Sequence, residues 1–141
     1  MANGKTLHQL SVGQSAERMH TVTEKDIQAF ADVSGDHNPV HLDADYAATT
    51  AFKGRIAHGM LSGAYISATI AGDLPGAGSI YIAQTMNFRR PVRIDDTVTT
   101  RVEIVAIDQE KARVTLKTTC SVNAKVVVEG EAVVMVPKSA D

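Results

Sequence analysis

The chain has 141 residues, of which 44% are hydrophobic and 21% charged, so we expect a folded domain with a sizeable core. A formal net charge of −2 gives no broad electrostatic reason to expect nucleic acid or an anionic membrane as a partner. The first residues lack the basic start and apolar run of a secretion signal. The single cysteine, Cys120, forms neither an intrachain disulfide nor a zinc set. A cytoplasmic protein is therefore expected.

The first elements in chain order are a strand and a helix. Residues 12–22 suit a strand. Thr23 then precedes two acidic residues, as an N-cap does, and apolar residues follow at helical spacing. This pattern predicts a helix over 24–34, which ends at Gly35 because glycine suits the left-handed backbone that often follows a helix.

The next stretch, residues 34–41, carries an aspartate and a histidine on a predicted bend. Asp36 and His41 are five positions apart, about 500° around a helix, so they cannot share a helical face. Pro39 biases Asn38 toward extended geometry, and a bend lets the two side chains converge. An acid, a base and an amide in one place suit general acid–base chemistry. The residues alone leave open an ordinary turn, which Asp-x-Asn-Pro also makes.

Two helices of different character are predicted after the bend. A short one covers 43–48, with Asp43 or Asp45 as its cap, and residues 49–55 form a connecting loop. The second covers 59–72 and is apolar on every side. It is too short and too rich in glycine to span a bilayer, so we expect it to be buried all round.

From residue 79 onward the hydrophobic period changes from helical to two, which is typical of strands. The alternation predicts strands over 79–90, 97–107 and 113–122. A final strand is predicted over 125–136, which is apolar at nearly every position, after a tight hairpin at Asn123-Ala124. These elements predict an α+β fold of about five antiparallel strands wrapped around the apolar helix, as a single domain over 1–141. Pairing of bare edge strands across a two-fold axis would favour a homodimer.

Two motifs carry a resemblance to a known family. They are Phe30-Ala31-Asp32-Val33-Ser34-Gly35-Asp36-His37-Asn38-Pro39-Val40-His41-Leu42-Asp43 and Ala57-His58-Gly59-Met60-Leu61. Both closely resemble the MaoC-like, (R)-specific enoyl-CoA hydratases, which have the hot-dog fold. The compact single-domain bacterial members that supply polyhydroxyalkanoate monomers look most similar. Residues 47–52 and 78–81 also match that subgroup, so the resemblance covers roughly residues 12–137.

The resemblance implies reversible addition of water to trans-2-enoyl-CoA, giving the (R)-3-hydroxyacyl-CoA. It implies that Asp36 and His41 are the catalytic pair, with the division between base and acid left open, and that Asn38 holds the bend or the substrate. Ser67 aligns with a pocket serine of the family, although its hydroxyl could instead bond back to its own helix. The resemblance also implies a site at a dimer interface, with no metal or redox cofactor, CoA being part of the substrate.

The start of the apolar helix predicts a further part of the site. Gly59 offers a free N–H at a positive helix end and no side chain to block a thioester, so we assign its N–H to the enolate oxygen. His58 is interpreted as a packing and hydrogen-bonding residue, and Tyr81 and Phe88 as core. Four cations are candidates for CoA phosphate contacts: Lys53, Arg55, Arg89 and Arg90.

We expect an (R)-specific hydratase for short to medium acyl chains. Three alternatives remain from the sequence. They are a dehydratase of hydroxyacyl-ACP, a hot-dog thioesterase and a non-catalytic subunit that binds acyl-CoA.

Overall fold

The computed structural model describes residues 4–139, and its largest element is one antiparallel sheet. The strands are β1 (Ser15–Thr21), β2 (Ile80–Gln84), β3 (Asn87–Phe88), β4 (Thr97–Asp108), β5 (Arg113–Val122) and β6 (Lys125–Met135). Their order is β1-β4-β5-β6-β2, and the short β3 also pairs with β6. The sheet therefore has six strands, one more than expected, because the stretch predicted as a single strand over 79–90 is divided.

That division occurs where the chain crosses β6. The Thr85 N–H donates to the Glu131 carbonyl at 2.8 Å, and the Thr85 hydroxyl accepts from the Glu131 N–H at 3.0 Å. A Cβ at Gly130 would overlap the Thr85 carbonyl, so the glycine permits this close crossing. β2 and β3 thus run along β6 as two pieces with an irregular link between them.

Four α-helices lie between β1 and β2, and a 3₁₀ turn at Leu7–Gln9 precedes β1. The helices are α1 (Glu24–Ser34), α2 (Pro39–Leu42), α3 (Ala44–Ala48) and α4 (Gly59–Gly72). The Thr23 hydroxyl accepts from the Asp26 N–H at 3.1 Å, and the Asp43 carboxylate accepts from the N–H groups of Asp45 and Tyr46 in α3. These caps confirm two predicted helix starts.

The core forms where α4 lies across the sheet. α4 packs against β4 and β5, and its Ile66 and Ile70 belong to the same buried cluster as Val102 and Leu116. A sheet covering one long apolar helix is the predicted α+β, hot-dog arrangement. At 14 residues α4 is shorter than the roughly 20 needed to cross a bilayer, and no helix within residues 4–139 is long and apolar enough to do so.

One expectation for α4 is wrong in the single chain. The helix is not buried all round, because Met60, Ala64, Ala68 and Ala71 lie on an exposed stripe. β2 has no further strand beyond it within the described residues, and its Ile80 and Ile82 are 54% and 42% exposed. Apolar surface is therefore left open on this helix and on one edge strand.

Candidate active site

The bend at residues 34–41 is built from successive side-chain to main-chain hydrogen bonds. Gly35 is left-handed, with φ of 79°, and the Asp36 N–H donates to the Ser34 hydroxyl at 3.1 Å. An Asp36 carboxylate oxygen accepts from the Asn38 N–H at 3.2 Å, and Asn38 in turn caps α2 by accepting from the Val40 N–H at 3.3 Å. These local bonds fold the chain back on itself and bring His41 toward Asp36. The predicted bend is therefore present in the structure.

The bend is held from outside by residues 55–58, which run beside it. His41 donates from Nδ1 to the Ile56 carbonyl at 2.8 Å, and Arg55 donates from Nε to the His41 carbonyl at 2.7 Å. His58 donates from Nε2 to the Asp36 carbonyl at 3.0 Å. Each end of the predicted pair is thus tied to the segment that leads into α4.

His41 has a defined tautomer as a result. A carbonyl oxygen only accepts, so the Ile56 bond places the proton on Nδ1 and leaves the Nε2 lone pair open. The ring is buried, with the residue 8% exposed, and burial lowers the pKa of His41, against the opposing effects of the Ile56 bond and the Asp36 charge. A neutral imidazole with an open acceptor suits a general base.

Asp36, His41 and His58 form one compact group. A carboxylate oxygen of Asp36 and one nitrogen of each histidine lie within 4.8 Å of one another. A water donating to two acceptors at about 2.8 Å each spans about 4.5 Å between them, which is within this limit. The same three groups are of the kind that could hold a divalent metal ion.

A cavity of about 470 Å³ opens over this group. Its polar lining comes from Asp36, His41, His58, Ser62, Arg89 and Arg90, and its other walls from Phe52, Ile56, Ala57, Gly59, Met60, Phe88, Pro91, Val92 and Val128. A mostly apolar cleft with a few convergent polar groups is the usual form of a small-molecule site.

Gly59 begins α4 at the wall of this cavity. Within residues 4–139 its N–H donates to no carbonyl or side chain, as expected for the first amide of a helix. A Cβ at this position would lie 2.6 Å from the Phe88 ring, so a larger residue would displace that ring. The structure places an unused donor beside the acid–base group, where sequence reasoning assigned the enolate oxygen.

Two predicted site residues lie elsewhere. Asn38 is exposed, does not line the cavity, and caps α2. Ser67 is half-buried further along α4 and does not line the cavity of the single chain, so its contact with substrate stays a prediction. Ser62 lines the cavity instead and was missed, although its position three residues after Gly59 puts both on one helix face.

The aromatic and cationic expectations also need correction. Phe88 was expected in the core but is 55% exposed and lines the cavity, and Tyr81 is 38% exposed. Arg55 is turned inward, where it pairs with Glu24 at 2.7 Å, so it does not face the cavity as a phosphate contact. Arg89 and Arg90 do line it.

Comparison with known proteins shows which family this chain resembles over most of its length. The MaoC like domain family matches residues 8–128. The chain is 55% identical to an (R)-specific enoyl-CoA hydratase of Rhodospirillum rubrum over 125 residues, covering 89% of this chain and 87% of that protein.

Two solved structures extend the likeness to the fold. The R-hydratase PhaJ1 of Pseudomonas aeruginosa, in its unliganded form, is 52% identical with a TM-score of 0.90, covering 96% of this chain and 88% of that one. The (R)-hydratase of A. caviae involved in PHA biosynthesis is 43% identical with a TM-score of 0.88, covering 91% and 98%. From its sequence and its fold, the chain belongs to the MaoC-like domain family.

Proposed function

We propose that this protein is an (R)-specific enoyl-CoA hydratase. It adds water reversibly across the trans-2 double bond of short to medium enoyl-CoA thioesters and gives the (R)-3-hydroxyacyl-CoA. The observation that carries the proposal is the convergence of the Asp36 carboxylate and the His41 imidazole, within 4.8 Å of each other, on a mostly apolar cavity that Gly59 also lines. The (R)-specific relatives support the substrate class and the stereochemistry.

The first step needs a nucleophilic water. One water held between His41 and Asp36 donates a hydrogen bond to each, and His41 Nε2 takes its proton as the oxygen bonds to the β-carbon. Neutral His41 supports this division of roles, since burial keeps its imidazole in the accepting form. The Asp36 carboxylate orients the water and stabilises the imidazolium that forms.

The second step moves charge onto the thioester. As the β-carbon bonds to oxygen, the double-bond electron pair shifts toward the carbonyl and produces an enolate. The Gly59 N–H, at the positive end of α4, donates to the enolate oxygen. The enolate then collapses, and its α-carbon takes a proton from the His41 imidazolium, which restores the neutral histidine.

The same chemistry supports a reaction without a resident metal or redox cofactor. No electrons are transferred to or from the substrate, and the helix amide stabilises the enolate charge. Activity is expected to survive prolonged incubation with EDTA followed by assay in metal-free buffer. Loss of activity that added divalent ions restore would contradict this part of the proposal.

We place the active form in a homodimer. The exposed stripe of α4 and the open β2 edge supply apolar surface that a second copy would bury, and Met60 of that stripe also lines the cavity. Sedimentation of the purified protein would test this, and a monomer at micromolar concentration would contradict it. A cytoplasmic location remains an expectation.

The function is tested by the loss of conjugated-thioester absorbance with crotonyl-CoA, followed by dehydrogenases specific for each 3-hydroxyacyl-CoA enantiomer. Asp36→Asn and His41→Ala are expected to lower kcat by about a hundredfold or more, because each removes a group that handles the water. His37→Ala is the matched control, since this exposed histidine lies on the same bend but does not line the cavity.

Each other outcome identifies an alternative. Release of free CoA without hydroxyacyl product would indicate a thioesterase. Activity with enoyl-ACP but not with enoyl-CoA would indicate an ACP-linked dehydratase. Binding of acyl-CoA without turnover would indicate a non-catalytic subunit.

A further inference from the structure

His58 is a buried histidine that the proposed mechanism does not use. It is 2% exposed, and its ring lies between those of Phe30 and His41, with centroids 4.9 Å and 4.0 Å away. Its Nε2 donates to the Asp36 carbonyl, and in the neutral ring this leaves Nδ1 as the acceptor. That nitrogen is buried and has no hydrogen-bond partner within residues 4–139.

The unpaired nitrogen argues against packing as the whole explanation. A buried acceptor without a partner destabilises a fold, and a phenylalanine ring would fill the same space without that cost. What phenylalanine cannot supply is the N–H that reaches the Asp36 carbonyl. The polar function of the ring therefore lies in that bond.

We infer that His58 is a positioning residue: its N–H anchors the main chain of Asp36 and thereby fixes the gap that the reacting water fills. The hydrogen bonds of Asp36 to Ser34 and Asn38 are local and shape the bend itself. The His58 bond joins residues 22 positions apart and ties that bend to the start of α4. The inference rests on the proposed hydration.

The expected effect falls on turnover more than on substrate binding. Asp36 contacts the water and not the acyl chain, so a displaced carboxylate leaves thioester binding largely intact. A misplacement of about 1 Å between reacting groups can lower a rate by about a hundredfold. Loss of the His58 bond should therefore lower kcat and change KM little.

Two variants separate the hydrogen bond from the ring. His58→Phe keeps a ring and loses the donor, whereas the amide of His58→Gln puts a donor near the position of Nε2. With crotonyl-CoA we expect His58→Phe to lose about thirtyfold to a hundredfold in kcat, with KM within about threefold, and His58→Gln to stay within about fivefold of wild type. Thr69→Val is the control, because it removes a buried side-chain donor on α4, the helix that His58 precedes, far from Asp36 in the chain.

The outcomes that would overturn the inference are specific. Wild-type kcat in His58→Phe would do so, as would equal losses in His58→Phe and His58→Gln when both melt near the wild-type temperature. If His58→Phe does not fold, His58→Asn replaces it, since its amide is one methylene too short to reach the carbonyl. Equal kcat in the Asn and Gln variants would then contradict the role. An inactive wild-type protein would instead contradict the proposed function.

Discussion

The acid–base bend and the apolar surface around β2 differ in how completely a single chain holds them. Around the bend, residues 55–58 hold Asp36 and His41 through main-chain carbonyls, and His41 and His58 are almost fully buried. Around β2, by contrast, Ile80 and Ile82 lie open along an unpaired edge. The cavity is lined by Asp36 and His41 of the bend and reaches the exposed Met60 and Phe88, whereas no residue of β2 lines it.

The two regions show which parts of the candidate site a single chain holds in fixed positions and which parts it leaves exposed. The atoms that handle a proton need fixed positions, and hydrogen bonds within one chain provide them. The walls that would hold an acyl chain need apolar coverage, which one chain leaves incomplete on this side. Substitutions around β2 should therefore weaken dimer association and kcat/KM, whereas substitutions at the bend should lower stability and kcat while the dimer remains.

The largest effect is expected at the open surface. Ile82→Glu would place a carboxylate in the proposed dimer interface, where an unpaired buried charge costs several kcal/mol and weakens association by about a thousandfold or more. We expect a monomer by sedimentation and a fall of at least about tenfold in kcat/KM, because the cavity rim loses its cover. Val12→Glu is the control, since Val12 is also exposed, at 64%, but does not lie on β2. A dimer in Ile82→Glu would place the interface elsewhere.

A smaller effect is expected from loosening the bend. Arg55→Met removes the hydrogen bond to the His41 carbonyl and the pair with Glu24. A bond from a charged donor contributes about 1.5 to 3 kcal/mol, so the free energy of unfolding should fall by about that amount and kcat by several-fold, while the dimer remains. Denaturant unfolding and steady-state kinetics measure both.

Glu24→Gln serves as the matched control for Arg55. Glu24 is on the surface, its side chain 57% exposed, and such pairs contribute about 0 to 1 kcal/mol. Nearly wild-type stability and kcat are expected. Equal losses in both variants would show that the ion pair, and not the contact with His41, matters.

The bounds of α1 and α4 match the sequence predictions because their signals are local. Thr23 and Gly35 delimit α1 through bonds and dihedrals within a few residues, and the Asn38-Pro39 pair forces the bend that joins Asp36 to His41. The hydrogen bonds between residues 55–58 and the bend were not predictable, because they join residues 14 to 22 positions apart. Local pattern carries no information on such distances.

The exposure of Phe88 also could not be predicted from local pattern. Its alternation with Met86 is that of a buried strand, yet it lies on the two-residue β3, past the crossing at Thr85, and is exposed. The crossing depends on Gly130 in a distant strand. Periodicity predicts which residues share a face but not where a strand breaks, so the position of Phe88 at the cavity was missed, whereas the convergence of Asp36 and His41 was anticipated.

A smaller effect again, on activity and on stability, is expected from a change of pH. Burial lowers the pKa of His41 from its ordinary 6.5, so the neutral base persists to lower pH and kcat/KM should fall only below pH 6.5.

The same shift of the His41 pKa makes stability depend on pH, because the unfolded chain binds the His41 proton more tightly than the folded chain does. The contribution of neutral His41 to stability is therefore present above pH 6.5 and is lost as pH falls through the folded pKa. NMR titration of the His41 ring measures the shift directly. Asp36→Asn should lower the midpoint further, since the Asp36 charge raises it, and an upward shift would contradict the assigned geometry.

The smallest effect is expected from removing the N-cap of α3, which follows the bend but lies outside the cavity. The Asp43 carboxylate accepts from the N–H groups of Asp45 and Tyr46 at 3.0 Å and caps α3, yet it does not line the cavity. Asp43→Ala should therefore lower the free energy of unfolding by about 1 kcal/mol and leave kcat and KM unchanged. Asp43→Asn keeps a capping oxygen and should recover most of the stability. A large loss of kcat in a folded Asp43→Ala protein would mean that α3 helps to position the pair, because α3 begins directly after the α2 turn that carries His41.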